Sequence, residues 1–459
     1  MRPLNGSVVR LVAPGLAAAV VAGAGLVACS RPAAPSTGAP SSPAAAASSP
    51  SPSSSAHAHG GTTGTTGAAG TTATGVAAAN DAGPAAGCRL QALLGQHTVL
   101  AADMMRARVR RDPDFAQAAE TALTRNTQAL STLVGSLFGA DAAAAFATRW
   151  SGHVKNLFDY AEARRTGDAA GLKDSRAQLV KAEEELATFF AGASQGRLTK
   201  AAATEGVKMH VDQLLAQADA YAAGDYDAAA KAYRDGYEHA FALGGGLAKA
   251  LLPAKDAAAL GAPGWQLRVN MTQLLGEHVS LVMAASRAAS GRTADDFKAI
   301  GGALNRNTQS LSGAVGTLYG APAAAKFQSL WADHVDSLLS VTAGAARGDT
   351  AAQQEGRRRL TAFEPALATF LDTATQSRIG ADALARAFAE HDAMLLGEVE
   401  AYQAKDYTQA HDLGYQAYDE MFDLAGQLSN AIQLTMAKKL PKGGSQTGGG
   451  GMAAVVGGR

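Results

Sequence analysis

Three pairs of histidines have the type and spacing for chemistry in this chain. His97, His153 and His210 recur as His278, His334 and His391, each displaced by 181 positions (278 − 97, 334 − 153 and 391 − 210). Of the ten histidines, His57 and His59 lie in a low-complexity stretch, and His239 and His411 have no counterpart. Imidazoles hold transition metals and exchange protons near neutral pH. At about 100° per residue each pair falls on an apolar stripe. Leu93, His97, Leu100 and Met104 line up, as do Phe146, Trp150, His153 and Leu157, and Val207, His210, Leu214 and Tyr221. The second set runs Leu274, His278, Leu281; Phe327, Trp331, His334, Leu338; and His391, Leu395, Tyr402. Each set thus points three imidazoles inward from three different helices.

Other polar residues accompany them at the same displacement. Asn126 and Asn307 lie beside apolar faces, and Glu183 and Glu364 sit on the stripes Leu179–Leu186 and Leu360–Leu367. Arg176 and Arg357 precede those glutamates by two turns on the same face, and Tyr237 and Tyr418 belong to the last helix of each set. Buried polar groups must meet each other, water or a ligand. One reading has the three imidazoles of a set converging on a metal. Glu183 or Glu364 is then a fourth ligand, or the acceptor that fixes a ring tautomer. Such donors suit copper or zinc. The other reading is a structural or protein-interaction module, in which the same groups form bridges between helices and specify their register. No ligand spacing within one helix decides the matter: His-x-x-x-His, Glu-x-x-His and His-Glu-x-x-His are all absent. Met104, Met105, Met209 and Met394 lie near histidines in sequence but fit core filling. A phosphate-cradling glycine loop and a dinucleotide fingerprint are missing, which leaves a non-catalytic binding protein ahead of an enzyme.

The elements that position these residues come from a tandem duplication. Leu123-Thr124-Arg125-Asn126-Thr127-Gln128 and Trp150-Ser151-Gly152-His153 recur as Leu304-Asn305-Arg306-Asn307-Thr308-Gln309 and Trp331-Ala332-Asp333-His334. Alanine abundance and apolar recurrence at three and four positions predict helices throughout. Asp112-Pro113 is a cap followed by proline, Gly139 and Gly320 suit helix ends, and Gly167-Asp168, Gly348-Asp349, Asp225-Tyr226 and Asp406-Tyr407 mark further breaks. The expected fold class is all-α: two tandem up-and-down bundles of about six helices each. The first spans 88–252 and the second 265–436, with Pro253, Gly261, Pro263 and Gly264 breaking the chain in a 253–264 linker.

The start of the chain points to export, and composition gives no case for some partners. Residues 1–28 have a basic start and an apolar run, and Leu26-Val27-Ala28-Cys29 resembles a bacterial lipobox. Cleavage there would leave a lipidated Cys29 as the membrane anchor, outside the cytoplasm. The Ser/Ala/Pro/Gly/Thr stretch through residue 87 is expected to be a disordered tether, and the Lys/Gly-rich 437–459 a disordered tail. Forty basic and forty acidic residues give no net charge and so no electrostatic case for nucleic acid. With Cys29 lipidated, Cys88 would be an inert thiol at the domain edge or a site of intermolecular pairing.

Leu94-Gly95-Gln96-His97, Arg125-Asn126-Thr127, Trp150-x-x-His153 and Tyr221-x-x-Gly224-Asp225-Tyr226 resemble a family of exported, duplicated helical bacterial proteins whose members often carry the label copper amine oxidase. The resemblance implies a duplicated helical architecture and export. The Asn-Tyr-Asp/Glu from which amine oxidases form their quinone is absent, and Asp225-Tyr226-Asp227 is a cap and turn. A copper-dependent oxidase is therefore the third reading, behind a metal-binding protein and a structural module.

Overall fold

The computed structural model describes residues 83–439, Arg292 excepted. The expected leader, Cys29, His57, His59 and nearly all of the tether and tail lie outside these residues. The first repeat contributes α1 (Pro84–Arg110), α2 (Pro113–Phe138), α3 (Ala140–Thr166), α4 (Ala169–Ala193), α5 (Lys200–Ala222) and α6 (Tyr226–Leu251). After the short α7 (Ala254–Ala259), the second repeat supplies α8 (Pro263–Ser290), α9 (Ala294–Tyr319), α10 (Ala321–Arg347), α11 (Thr350–Ala374), α12 (Ala381–Gln403) and α13 (Tyr407–Lys439). Successive helices pack on one another, and α6 returns to α1 as α13 returns to α8. The fold is all-α with up-and-down packing. Residues 84–87, expected in the tether, form the first turn of α1, because Pro84 starts a helix and Gly87 lets it approach Leu252 and Leu260 closely.

The helix ends follow local chemistry. Asp112 accepts a hydrogen bond from the Phe115 amide, Asp168 from Ala170 and Gly171, and Asp225 from Ala228. Asp349 and Asp406 repeat the last two caps. Gly139 and Gly320 turn the chain between paired helices at φ 90° and 88°, a region that side chains disfavour.

α1 is buried on every side from Ala86 to Ala107, and α8 is similarly enclosed from Leu275 to Ala288. The two helices touch across the repeats, as do α6 with α9 and α2 with α13. The repeats meet about a pseudo-twofold relation, since Tyr237 and its counterpart Tyr418 are joined through their hydroxyls at 2.9 Å. Tyr418 Oη donates to the Ala92 carbonyl at 3.0 Å, so Tyr237 is the donor between the tyrosines. Gly95 and Gly276 admit these rings: a Cβ at either would overlap an aromatic side chain. Cys88 lies in this core at 1% exposure rather than at a domain edge, a burial that does not suit intermolecular pairing.

Charge is buried at the same interface. Arg287 binds Asp103 of the other repeat at 2.6 Å and lies 3.5 Å from Glu398, all three at or below 3% side-chain exposure. Its counterpart Arg106 donates from Nε to Gln217 at 2.9 Å and stacks on Tyr221 and Tyr233. Removing the cation from a buried set costs far more than removing one at the surface. Arg287→Met is expected to cost about 3–5 kcal/mol in denaturant unfolding, because two carboxyls stay buried without it. Arg358→Met, which breaks an exposed pair with Glu355, should leave the midpoint unchanged. Equal effects from the two variants would mean that Arg287 does not join the repeats.

Candidate metal centre

The first repeat brings its three predicted imidazoles together. α1 carries His97, α3 His153 and α5 His210, and the three helices pack pairwise. Ring centroids are 5.5, 5.4 and 5.6 Å apart, a nearly equilateral triangle. One nitrogen from each ring lies within 4.8 Å of the other two. A point central to such a triangle is under about 2.8 Å from each nitrogen, so inward movements of less than about 1 Å would reach metal–imidazole bond length. The side chains are 0%, 0% and 3% exposed.

The electrostatics favour neutral ligands. Burial lowers His153 to about 4 and holds His97 and His210 well below their usual range, and repulsion among the three rings adds to the effect on the latter two. Both nitrogens of His153 and His210, and Nε2 of His97, are buried without a hydrogen-bond partner. The remaining nitrogen, His97 Nδ1, accepts from Trp150 Nε1 at 3.3 Å. That bond selects the tautomer of His97 with its proton on Nε2. Coordination through Nε2 therefore requires the proton to leave and the indole to release Nδ1.

The expected fourth ligand is not at this point. Glu183 is held by Arg176 at 2.7 Å, and Arg176 also binds Asp212 at 2.7 Å. Arg176 is the tie between α4 and α5, and Glu183 is not among the groups gathered at the triangle. Asn126 is likewise a tie, donating to the Leu93 carbonyl and to Gln96, both at 3.0 Å. It fixes α2 against the turn of α1 that precedes His97. Met104 and Met105 are fully buried core residues.

The second repeat departs from this pattern. His278 and His334 are 5.3 Å apart, but His278 and His391 are 6.4 Å apart, and these rings do not form a gathered set among the described residues. Three substitutions explain the difference. Phe363, where the first repeat has Ala182, stacks on His334 at 4.3 Å. Glu420, the counterpart of His239, takes Nδ1 of His391 at 3.1 Å. Asp392 replaces Val211 and lies 3.7 Å from His334 Nδ1. Burial raises Asp392 to about 7 and lowers His278 to about 3. Asn307 repeats the tie of Asn126, donating to Leu274 and to Glu277, which also binds Arg234 of the first repeat. Arg357 does not pair with Glu364: the position matching Asp212 is Ala393, and Arg357 turns to Glu400 at 2.5 Å.

An imidazole kept neutral in the fold but protonated at about 6.5 when exposed takes up a proton on unfolding. Its contribution is whole above that pH and is lost as pH falls toward the folded value. For His153 the loss between pH 6.5 and 4 is on the order of 3 kcal/mol. Asp392 and Glu398, both raised to about 7 by burial, act in the opposite direction over that range. The informative quantity is thus the difference between wild type and His153→Leu in unfolding free energy. It should shrink as pH drops from 7 to 4.5; a difference independent of pH would show that His153 is protonated in the fold.

No protein-family model, curated protein or solved structure matches this chain.

Proposed function

We propose that this protein is an extracytoplasmic lipoprotein, anchored through acylated Cys29, that binds one transition-metal ion in the tri-histidine site of its first repeat. The observation that carries the reading is the convergence of His97, His153 and His210 with five ring nitrogens lacking partners in a sealed core. Groups of that kind are costly to bury unless something completes them. No helix of the described residues is long and apolar enough to cross a membrane, and the lipobox-like Leu26-Val27-Ala28-Cys29 supports attachment through a lipid.

Charge favours copper(I) over zinc(II). The three donors are neutral and no carboxylate joins them. The cost of burying an ion rises with the square of its charge, roughly fourfold from one charge to two. Three imidazoles complete a monovalent copper ion without an added anion, whereas zinc would need a fourth ligand. The depth of the site supports binding rather than turnover, because a substrate has no approach to rings that are almost wholly enclosed. The Trp150–His97 hydrogen bond favours the second reading, a cluster that only specifies helix register.

Competition for copper(I) against a chromogenic chelator separates the two. Wild type should take up one equivalent, His334→Ala the same, and His153→Ala only the thiol background. Trp150→Phe frees His97 Nδ1 and should tighten binding by about tenfold, the scale on which partners of metal-bound imidazoles act. Uptake unchanged by His153→Ala, with a lowered melting temperature alone, would leave the register reading in place.

A further inference from the structure

Beside the displaced imidazoles of the second repeat lies a cavity of about 90 Å3. Its wall is almost entirely apolar and includes Leu274, Leu311, Phe370 and Leu428. Trp331, Phe363 and Phe388 bring aromatic rings to it, and His334, His391 and Asp392 supply its polar end. Asn270 and half-buried Leu267 lie at the opposite end, on the first turns of α8. In the first repeat the matching turns of α1 are closed over by Leu252 and Leu260, which meet Gly87. The chain there breaks at Pro253; the matching residue is Leu434, inside α13, and it is 48% exposed. The departure from α1 thus leaves a mouth at the start of α8.

Asp392 is what the cavity lacks a partner for. The residue is 3% exposed, and neither carboxyl oxygen makes a hydrogen bond. The nearest ring nitrogen, His334 Nδ1, is at 3.7 Å, beyond hydrogen-bond reach. The titratable groups near Asp392 include His391, Glu364 and Glu420 besides His334, and two of these are carboxylates. His391 is already engaged by Glu420. A buried carboxylate left in this state is costly, and a cation entering from the mouth would relieve it. Aromatic faces around a carboxylate in an apolar cavity match an ammonium group with a hydrocarbon body. The space exceeds the ~10–15 Å3 that one water needs and falls short of the ~150 Å3 that admits benzene, so it encloses the head and first carbons of a chain whose remainder extends through the mouth.

We propose that this cavity binds a linear alkylammonium ion, its charged head at Asp392 and its chain along Leu274 and Leu311 toward Leu267. The site is separate from the tri-histidine centre and does not depend on it. Val211 and Ala182 stand in the first repeat where Asp392 and Phe363 stand here, so one ligand per chain is expected.

Calorimetric titration of the full chain with n-hexylammonium, in the presence of a metal chelator, tests this. One equivalent should bind, at least tenfold more tightly than 1-hexanol, and hexanoate should not bind. Asp392→Asn should weaken hexylammonium at least tenfold and leave 1-hexanol unchanged. Ala314→Trp, which fills the cavity, should abolish both. Equal affinities for hexylammonium and 1-hexanol, no binding of hexylammonium, or an Asp392→Asn protein that binds it undiminished would each overturn the proposal. Should Asp392→Asn not fold, the comparison among the three wild-type ligands decides alone.

Discussion

A helix enclosed on every side has no outer face on which to place its polar residues. This constraint governs α1, and through it the rest of the fold. Arg89 reaches Asp419, Asp103 reaches Arg287, and Arg106 reaches Gln217. Gln96 is met by Asn126. Two of these partners come from the other repeat, so satisfying α1 also joins the halves. A buried ion pair is weak evidence of stability by itself. What it specifies is arrangement, because only one docking of the repeats brings Asp103 to Arg287 and Tyr237 to Tyr418 together. His97 belongs to the same enclosed helix, and its Nε2 stands outside this scheme of partners. Its convergence with two further imidazoles in the same state makes the tri-histidine cluster a candidate site rather than one more tie.

Duplication gave both repeats the same starting set, and the differences between them are local. Ala182 leaves the first triangle room to close, while Phe363 occupies the matching space and stacks on His334. His239 bonds the Gly206 carbonyl at 2.9 Å and so leaves His210 unclaimed, while Glu420 takes His391. Val211 is inert at the point where Asp392 puts a carboxyl into the core. The helices are kept throughout: Gly139, Asp168 and Asp225 recur as Gly320, Asp349 and Asp406, although Thr293 and Gly380 make no side-chain cap where Asp112 and Thr199 do. A few side chains at matched positions are enough to convert a gathered set of nitrogens into an apolar cavity with one acidic end.

Much of this was legible in the residues. Helix ends were written in Asp112-Pro113, Asp168 and Asp225, where capping depends on neighbours in sequence. The inward course of His97, His153 and His210 followed from the 3.6-residue period, which places a residue on a face without knowledge of the partner. What crossed between helices was not legible. Periodicity put Arg357 and Glu364 on one face, but Arg357 turns instead to Glu400 on the neighbouring α12. Arg287 and Asp103 are far apart in the chain and share no pattern. Searching the repeats for what they retain found the imidazoles. It passed over Phe363, Asp392 and Glu420, because these matter by having changed. The start of α1 was hidden by composition: Pro84-Ala85-Ala86-Gly87 continues the low-complexity run in type, and only its burial distinguishes it.

The two proposed sites differ in donors but share one electrostatic logic. The first repeat offers three neutral nitrogens and no carboxylate, so a single positive charge is the most that its surroundings accommodate cheaply. The second offers a carboxylate without a cation, so a single positive charge is what its surroundings lack. Salt does not screen groups buried this deeply as it screens surface charge, and neither repeat can answer a misplaced charge by moving counterions close. Each buried group must then be completed by a partner of matched charge or stay neutral by shifting a proton. The depressed imidazoles and the raised carboxyl of Asp392 are that proton shift, which leaves each group neutral without a ligand.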